Sequence, residues 1–131
     1  MFKLYTDAAV KGNPGTVGLG IMIVGADQPI EISVPLPRGQ LMSNHEAEFL
    51  AAITGLQAMA DRGLAGQNVQ LISDSKLVID ALNKGYVKHY ADLYDRLVDA
   101  AAPFPLVIPT WQNDRQNRRA HDLAQMALHQ A

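Results

Sequence analysis

Three acids stand where acids are costly. Asp7 follows Phe2, Leu4 and Tyr5 in an apolar, β-rich run; Asp74 closes the short apolar run from Val69; Glu48 lies in the first turn of a long helical pattern. A carboxylate at the end of a central strand must be paired, protonated or bound to a cation. If the strands ending in Asp7 and Asp74 are parallel neighbours, both side chains emerge at one sheet edge, where ligands of open α/β sheets collect. Taking 100° per residue, Glu48 sits about 85° from the centre of its helix's apolar stripe, on the shoulder where helix meets sheet. Carboxylates crowded at one edge repel one another, and divalent cations are the usual remedy. Structural work competes for the same residues. An Asp ahead of a helix commonly serves as its N-cap, and a Glu in the first turn serves the helix dipole. Glu46, a rival for the site, is accounted for by a capping box with Ser43.

The elements that must position these acids follow from periodicity and punctuation. Phe2 to Thr6 and Gly18 to Val24 are β-rich, and the intervening Lys11-Gly12-Asn13-Pro14-Gly15 predicts an antiparallel hairpin with a type II turn at Pro14-Gly15. Ile30 to Leu36 alternates apolar and polar residues as a third strand, with Pro35 and Pro37 placing its end near a sheet edge. Ser43-Asn44-His45-Glu46 opens a helix whose Phe49, Ala52, Ile53, Leu56, Met59 and Ala60 recur at helical spacing; Gly63 and Gly66 end it. Val69 to Ile72 is a short buried strand. Asp74-Ser75 caps a helix with Leu77, Val78, Ala81 and Leu82 inward, and a further helix spans about Asp92 to Ala101, stopped by Pro103. Leu106 to Ile108 is the last strand and Arg115 to His129 the last helix. This order predicts a mixed α/β sheet, an antiparallel pair extended by parallel strands through helical crossovers.

Composition bounds the rest. The chain has 131 residues, which suits one domain over residues 1–131, and its 48% hydrophobic content supports a buried core. It contains no cysteine, excluding disulfides, thiolate metal sites and a thiol nucleophile. No apolar run approaches the roughly 20 residues of a membrane span and no signal peptide opens the chain, so a soluble, cytoplasmic protein is expected. The formal net charge of −2 weighs against a purely electrostatic nucleic-acid coat.

Four motifs point to a known family. Tyr5-Thr6-Asp7-Ala8-Ala9 with Gly12-Asn13-Pro14-Gly15 and Gly18-Leu19-Gly20 resembles the opening of type 1 ribonuclease H. Asn44-His45-Glu46-Ala47-Glu48 resembles that family's second motif, Ser73-Asp74-Ser75-Lys76-Leu77-Val78 its third, and Asn117-Arg118-Arg119-Ala120-His121-Asp122-Leu123-Ala124 its fourth. The resemblance runs nearly end to end with order and spacing intact. It implies an RNase H-like fold, a mixed five-stranded sheet with three antiparallel strands extended by parallel ones and flanked by helices. It also implies a nuclease that cuts the RNA strand of an RNA–DNA hybrid, using two divalent cations, Mg²⁺ or Mn²⁺, on four acidic positions. Two such ions about 3.5–4 Å apart can activate a water and stabilise the leaving oxygen of an in-line displacement. Asp7, Glu48 and Asp74 match three of the ligand positions, with Asp7 bridging.

The fourth position departs from the pattern. Counted back from Leu123-Ala124 it falls on His121, and helix geometry places His121 about 90° from the apolar stripe and Asp122 about 170° away, toward solvent. Imidazole suits Mn²⁺ better than Mg²⁺, so His121 is expected as a second-metal or proton-transfer group with a Mn²⁺ preference, and Asp122 as the less favoured fourth ligand. The loop before the last helix, Trp111 to Asn117, lacks the histidine many relatives carry there, and Asn83 to His89 is too short for their basic handle. Asn13, Ser43, Asn44 and Lys76 match positions that face the hybrid, and amide and hydroxyl groups suit the reading of 2′-hydroxyls. Asn13 also suits a turn, and Ser43 a cap.

The resulting expectation is a hybrid-specific, metal-dependent endoribonuclease with no membrane and no obligate protein partner. The alternatives are an RNase H-like module that binds nucleic acid without cutting, and a nuclease for another structured RNA. The three acids of the site exceed the whole formal charge of −2, so two bound divalent ions reverse its sign. Without a basic handle, hybrid binding should be modest and strongly dependent on metal and salt.

Overall fold

The computed structural model describes residues 1–130; Ala131, the last residue of the expected domain, lies outside them. Nine elements follow one another along the described residues: β1 (Phe2–Gly12), β2 (Gly15–Val24), β3 (Ile30–Pro35), α1 (Asn44–Asp61), β4 (Val69–Ser73), α2 (Lys76–Lys84), α3 (Ala91–Ala101), β5 (Val107–Trp111) and α4 (Arg118–Gln130). They build one five-stranded sheet in the order β3-β2-β1-β4-β5. The first three strands run antiparallel to one another, while β4 and β5 are parallel to β1. This is the mixed sheet that the alternation of strands and helices predicts.

The two faces of the sheet are dressed differently. Along β2, Val17, Leu19, Ile21 and Ile23 are fully buried in the core against α1, whose Phe49, Ile53, Leu56 and Met59 fill it from above. Side chains alternate across a strand, so Gly18 and Gly20 face the opposite side, where α4 lies. A Cβ on Gly20 would run into the Ala120 carbonyl oxygen and sit 2.5 Å from the Ala124 nitrogen. The helix backbone therefore rests directly on the strand, and only glycine permits it. Among the described residues, no helix is long and apolar enough to cross a membrane.

Local signals hold at the ends of α1. Ser43 Oγ accepts from the Glu46 backbone N–H at 3.2 Å and the Ser43 N–H donates to Glu46 Oε1 at 3.0 Å, completing the capping box. At the other end Gly63 has φ +77°, with its N–H donating to the Ala60 carbonyl and that of Leu64 to the Met59 carbonyl, a Schellman closure.

Several boundaries differ from the sequence reading; β2 starts at Gly15 rather than Gly18 and β4 runs to Ser73. β1 continues through Asp7 to Gly12, because its pairing with β2 outlasts its apolar run: Asp7 pairs with Gly20 and Gly12 with Gly15. Its pairing with β4 stops at Tyr5–Ile72. The hairpin loop is Asn13-Pro14, joined by a cis peptide, rather than a type II turn at Pro14-Gly15. β5 reaches Trp111, because Ser73–Trp111 pairing extends it past Ile108. α4 begins at Arg118, not Arg115: Asn113 Oδ1 accepts from the Gln116 N–H at 3.1 Å and holds the preceding residues in a turn.

Candidate active site

The parallel pairing of β1 and β4 ends at Tyr5–Ile72, and the two strands deliver their next acids, Asp7 and Asp74, beyond that point. Glu48 arrives from the start of the second turn of α1 rather than its first, two residues after the capping-box Glu46, because the helix opens at Asn44. Carboxylate oxygens of Asp7, Glu48 and Asp74 all lie within 4.8 Å of one another. Asp7 is 2% exposed. Oε1 of Glu48 and Oδ1 of Asp74 are buried without a hydrogen-bond partner. Asp74 does not cap α2; Ser75 does, its Oγ accepting from the Val78 N–H at 3.3 Å, so the aspartate carboxylate is left to the cluster.

Electrostatics records the crowding. Burial raises the Asp7 carboxyl, while a hydrogen bond from His121 pulls it back down. Glu48 is driven well above the usual glutamate range, first by burial and then by the charges of Asp7 and Asp74. Asp74 is pushed up to about 7 by burial, by its neighbour Asp114 and by the Asp7 charge. Burial raises all three carboxyls, and the charges of neighbouring acids add to it for Glu48 and Asp74; oxygen donors at this spacing are what a hard divalent cation binds.

Helix α4 contributes the fourth side chain. His121 Nδ1 lies 3.0 Å from Asp7 Oδ2, with the imidazole partly open to solvent. Asp122 turns the other way and pairs with Arg118 one turn earlier at 3.4 Å. The helical angle had already set these neighbours apart; the docking of α4 on the glycine face brings His121 against Asp7. Two further residues fix that docking. Asn117, 1% exposed, donates from Nδ2 to the Thr6 carbonyl at 3.0 Å, tying the start of α4 to β1 next to Asp7. Arg119 forks onto Glu31 of β3, with Nη2 to Oε1 at 3.0 Å.

The expected substrate contacts separate into two groups. Asn44 and Lys76 line a cleft of about 360 Å³ with Glu48 and Asp74, joined there by His45 and Trp111. Asn13 and Ser43 do not line it: Asn13 Oδ1 accepts from the Asn44 N–H at 3.3 Å, pinning the hairpin loop to the start of α1, and Ser43 is the cap. Asp114, Asn117 and Trp111 were not singled out by residue type. Nothing local marks Asp114 or Trp111; Asn117 belonged to the fourth motif but carried no role there.

The family model described as RNase H matches residues 1–128. The chain belongs to the RNase H family. Its five-stranded sheet and helices are the RNase H-like fold: the RNase H1 of the archaeon Halobacterium salinarum superposes with a TM-score of 0.87 at 30% identity, over 99% of this chain and 98% of that one. LC11-RNase H1, solved in complex with an RNA/DNA hybrid, superposes with a TM-score of 0.85 at 23% identity over 99% and 98% of the two chains, a likeness of fold. Among curated proteins, EbsB of Enterococcus faecalis, provisionally named a hydrolase, is 37% identical over 130 residues, covering 98% of this chain and 94% of EbsB. Within an RNase H fold, the clustered acids resemble a metal-dependent hydrolytic centre.

Proposed function

We propose that the protein, acting as one unit along its length, is a metal-dependent endoribonuclease that hydrolyses the RNA strand of RNA–DNA hybrids. The observation that carries this reading is the convergence of Asp7, Glu48 and Asp74 within 4.8 Å, two of them with buried, partnerless oxygens. The donor set fits two divalent cations, Mg²⁺ or Mn²⁺, held by Asp7, Glu48, Asp74 and His121, with Mn²⁺ preferred because imidazole is the fourth donor. When bound, such ions supply an activated water and neutralise charge developing on the phosphate.

The chain's own groups do the rest. The His121 tautomer that donates from Nδ1 to Asp7 Oδ2 leaves Nε2 as an acceptor, able to take a proton at the mouth of the site. The same bond orients Asp7. Asn44 presents an amide to the cleft, suited to a 2′-hydroxyl, and Lys76 presents a cation to a phosphate. Asn13 Oδ1 accepts from the Asn44 backbone N–H, so its part is to fix the main chain that carries that amide.

A second reading, a domain that binds hybrid without cutting, is favoured by the replacement of a fourth carboxylate by His121. Labelled hybrid, duplex RNA and single strands, each incubated in Mg²⁺ and in Mn²⁺, separate the two. Hybrid cleavage abolished by Asp7→Asn supports the nuclease; no cleavage of any strand, with hybrid binding indifferent to Asp7→Asn, refutes it. Cleavage of duplex RNA but not hybrid assigns the activity to another structured RNA.

A further inference from the structure

Strand β5 ends on Trp111, which pairs in register with Ser73, the residue before Asp74. The indole does two things at once. Its Nε1–H donates to the Asp74 carbonyl oxygen at 3.0 Å, and Lys76 Nζ lies 4.9 Å from its ring centroid. One side chain therefore touches both residues that flank Ser75, the backbone of a site carboxylate and the cation beside it. Trp111 remains 43% exposed and lines the same cleft as Glu48 and Asp74. A free surface lysine wanders over many rotamers, whereas an ammonium seated on an indole face is confined to one region. The Nε1–H bond in turn stops the ring from swinging away.

We propose that Trp111 is a positioning residue for the substrate strand, holding the Lys76 ammonium on the wall of the cleft where it meets a phosphate of the bound RNA. This rests on the nuclease reading above and adds to it a residue outside the four motifs. Two separable functions follow. The ring face confines Lys76, and the indole N–H holds the Asp74 main chain. Trp111→Phe keeps a face and loses the N–H; Trp111→Leu loses both.

The test is a double-mutant cycle on hybrid cleavage together with a spectroscopic readout of the free protein. Trp111→Leu is expected to raise KM about two- to fivefold, the range of a cation–π contact at an exposed site. Trp111→Phe should recover most of that KM. Lys76→Gln should raise KM and reduce the salt slope by about one phosphate contact, and adding Trp111→Leu to it should raise KM no further. In metal-free wild-type protein the Lys76 ε-methylene resonances should be shifted upfield by the indole ring current and should return to ordinary positions in Trp111→Leu. A Trp111→Leu variant at wild-type KM, two KM effects that multiply, or unshifted Lys76 resonances overturns the inference while cleavage by the wild type leaves the nuclease reading standing. Wild-type protein that cuts no hybrid in either metal overturns both.

Discussion

Replacing Asp74 by asparagine should make the metal-free protein more stable while weakening its metal response. Asp74 in the folded protein is pushed from 3.8 to about 7, with burial the largest cause and Asp114 and Asp7 adding to it. The folded site thus holds its proton more tightly than the unfolded chain does. Stability contributed by this group is fully present below pH 3.8 and is lost as pH rises through about 7. The displacement corresponds to at most about 4 kcal/mol, and because Asp74 is only half-buried, solvent screening reduces this to roughly 2 kcal/mol. Glu48 is raised in the same sense, so its penalty adds to the loss at higher pH. Urea unfolding in a chelating buffer at pH 4, 6 and 8 reads this directly. Asp74→Asn should match wild type at pH 4 and exceed it by about 2 kcal/mol at pH 8, a midpoint shift on the order of 1 M urea. Added Mn²⁺ should then stabilise wild type by about 2.7 kcal/mol at a hundred times its Kd, and the variant by less. A variant no more stable than wild type at pH 8 refutes the claim that burial and acidic neighbours penalise the charged Asp74 in the absence of metal.

Other perturbations test the supports of the site. Gly20→Ala puts a methyl group into the α4 backbone and should cost roughly 1–3 kcal/mol in urea unfolding, with cleavage falling as His121 lifts away from Asp7; Gly39→Ala, with nothing within 4 Å, should be neutral or slightly stabilising. Asn117→Ala removes the bond to the Thr6 carbonyl and should lower stability by about 1–3 kcal/mol in the same measurement. His121→Ala should lower kcat about 10²-fold or more, with the larger loss in Mn²⁺; unchanged rates in both metals eliminate His121 as a ligand or proton carrier. Cleavage should weaken steeply with salt, since the chain carries a formal charge of −2 and a short Asn83–His89 segment.

What the sequence determined by itself was local and periodic. Ser43 and Glu46 are three residues apart, so their capping box is a property of the segment, and it sets Glu48 two residues later on a predictable face. The alternation in β2 and the glycine that ends α1 are equally short-range, and together with the order of elements they specify the mixed sheet. Asp7 and Asp74 could be matched to one edge because parallel neighbouring strands leave little other choice. Where neighbouring chain decided the outcome, the local reading slipped: β1 outran its apolar run because β2 kept pairing with it. Of the capping pair Asp74-Ser75, Ser75 took the cap. Helical angles favoured His121 over Asp122, but only the tertiary structure decided that His121 reaches Asp7, since that depends on two glycines about a hundred residues away in β2 and on the tie between Asn117 and Thr6. It alone brought Asp114 to Asp74, and Trp111 under both Asp74 and Lys76. Periodicity reports which side of an element is apolar, but the contact between two polar side chains across the sheet depends on helix placement to within an ångström. That placement is set by backbone against backbone, where glycine contributes by having no side chain at all.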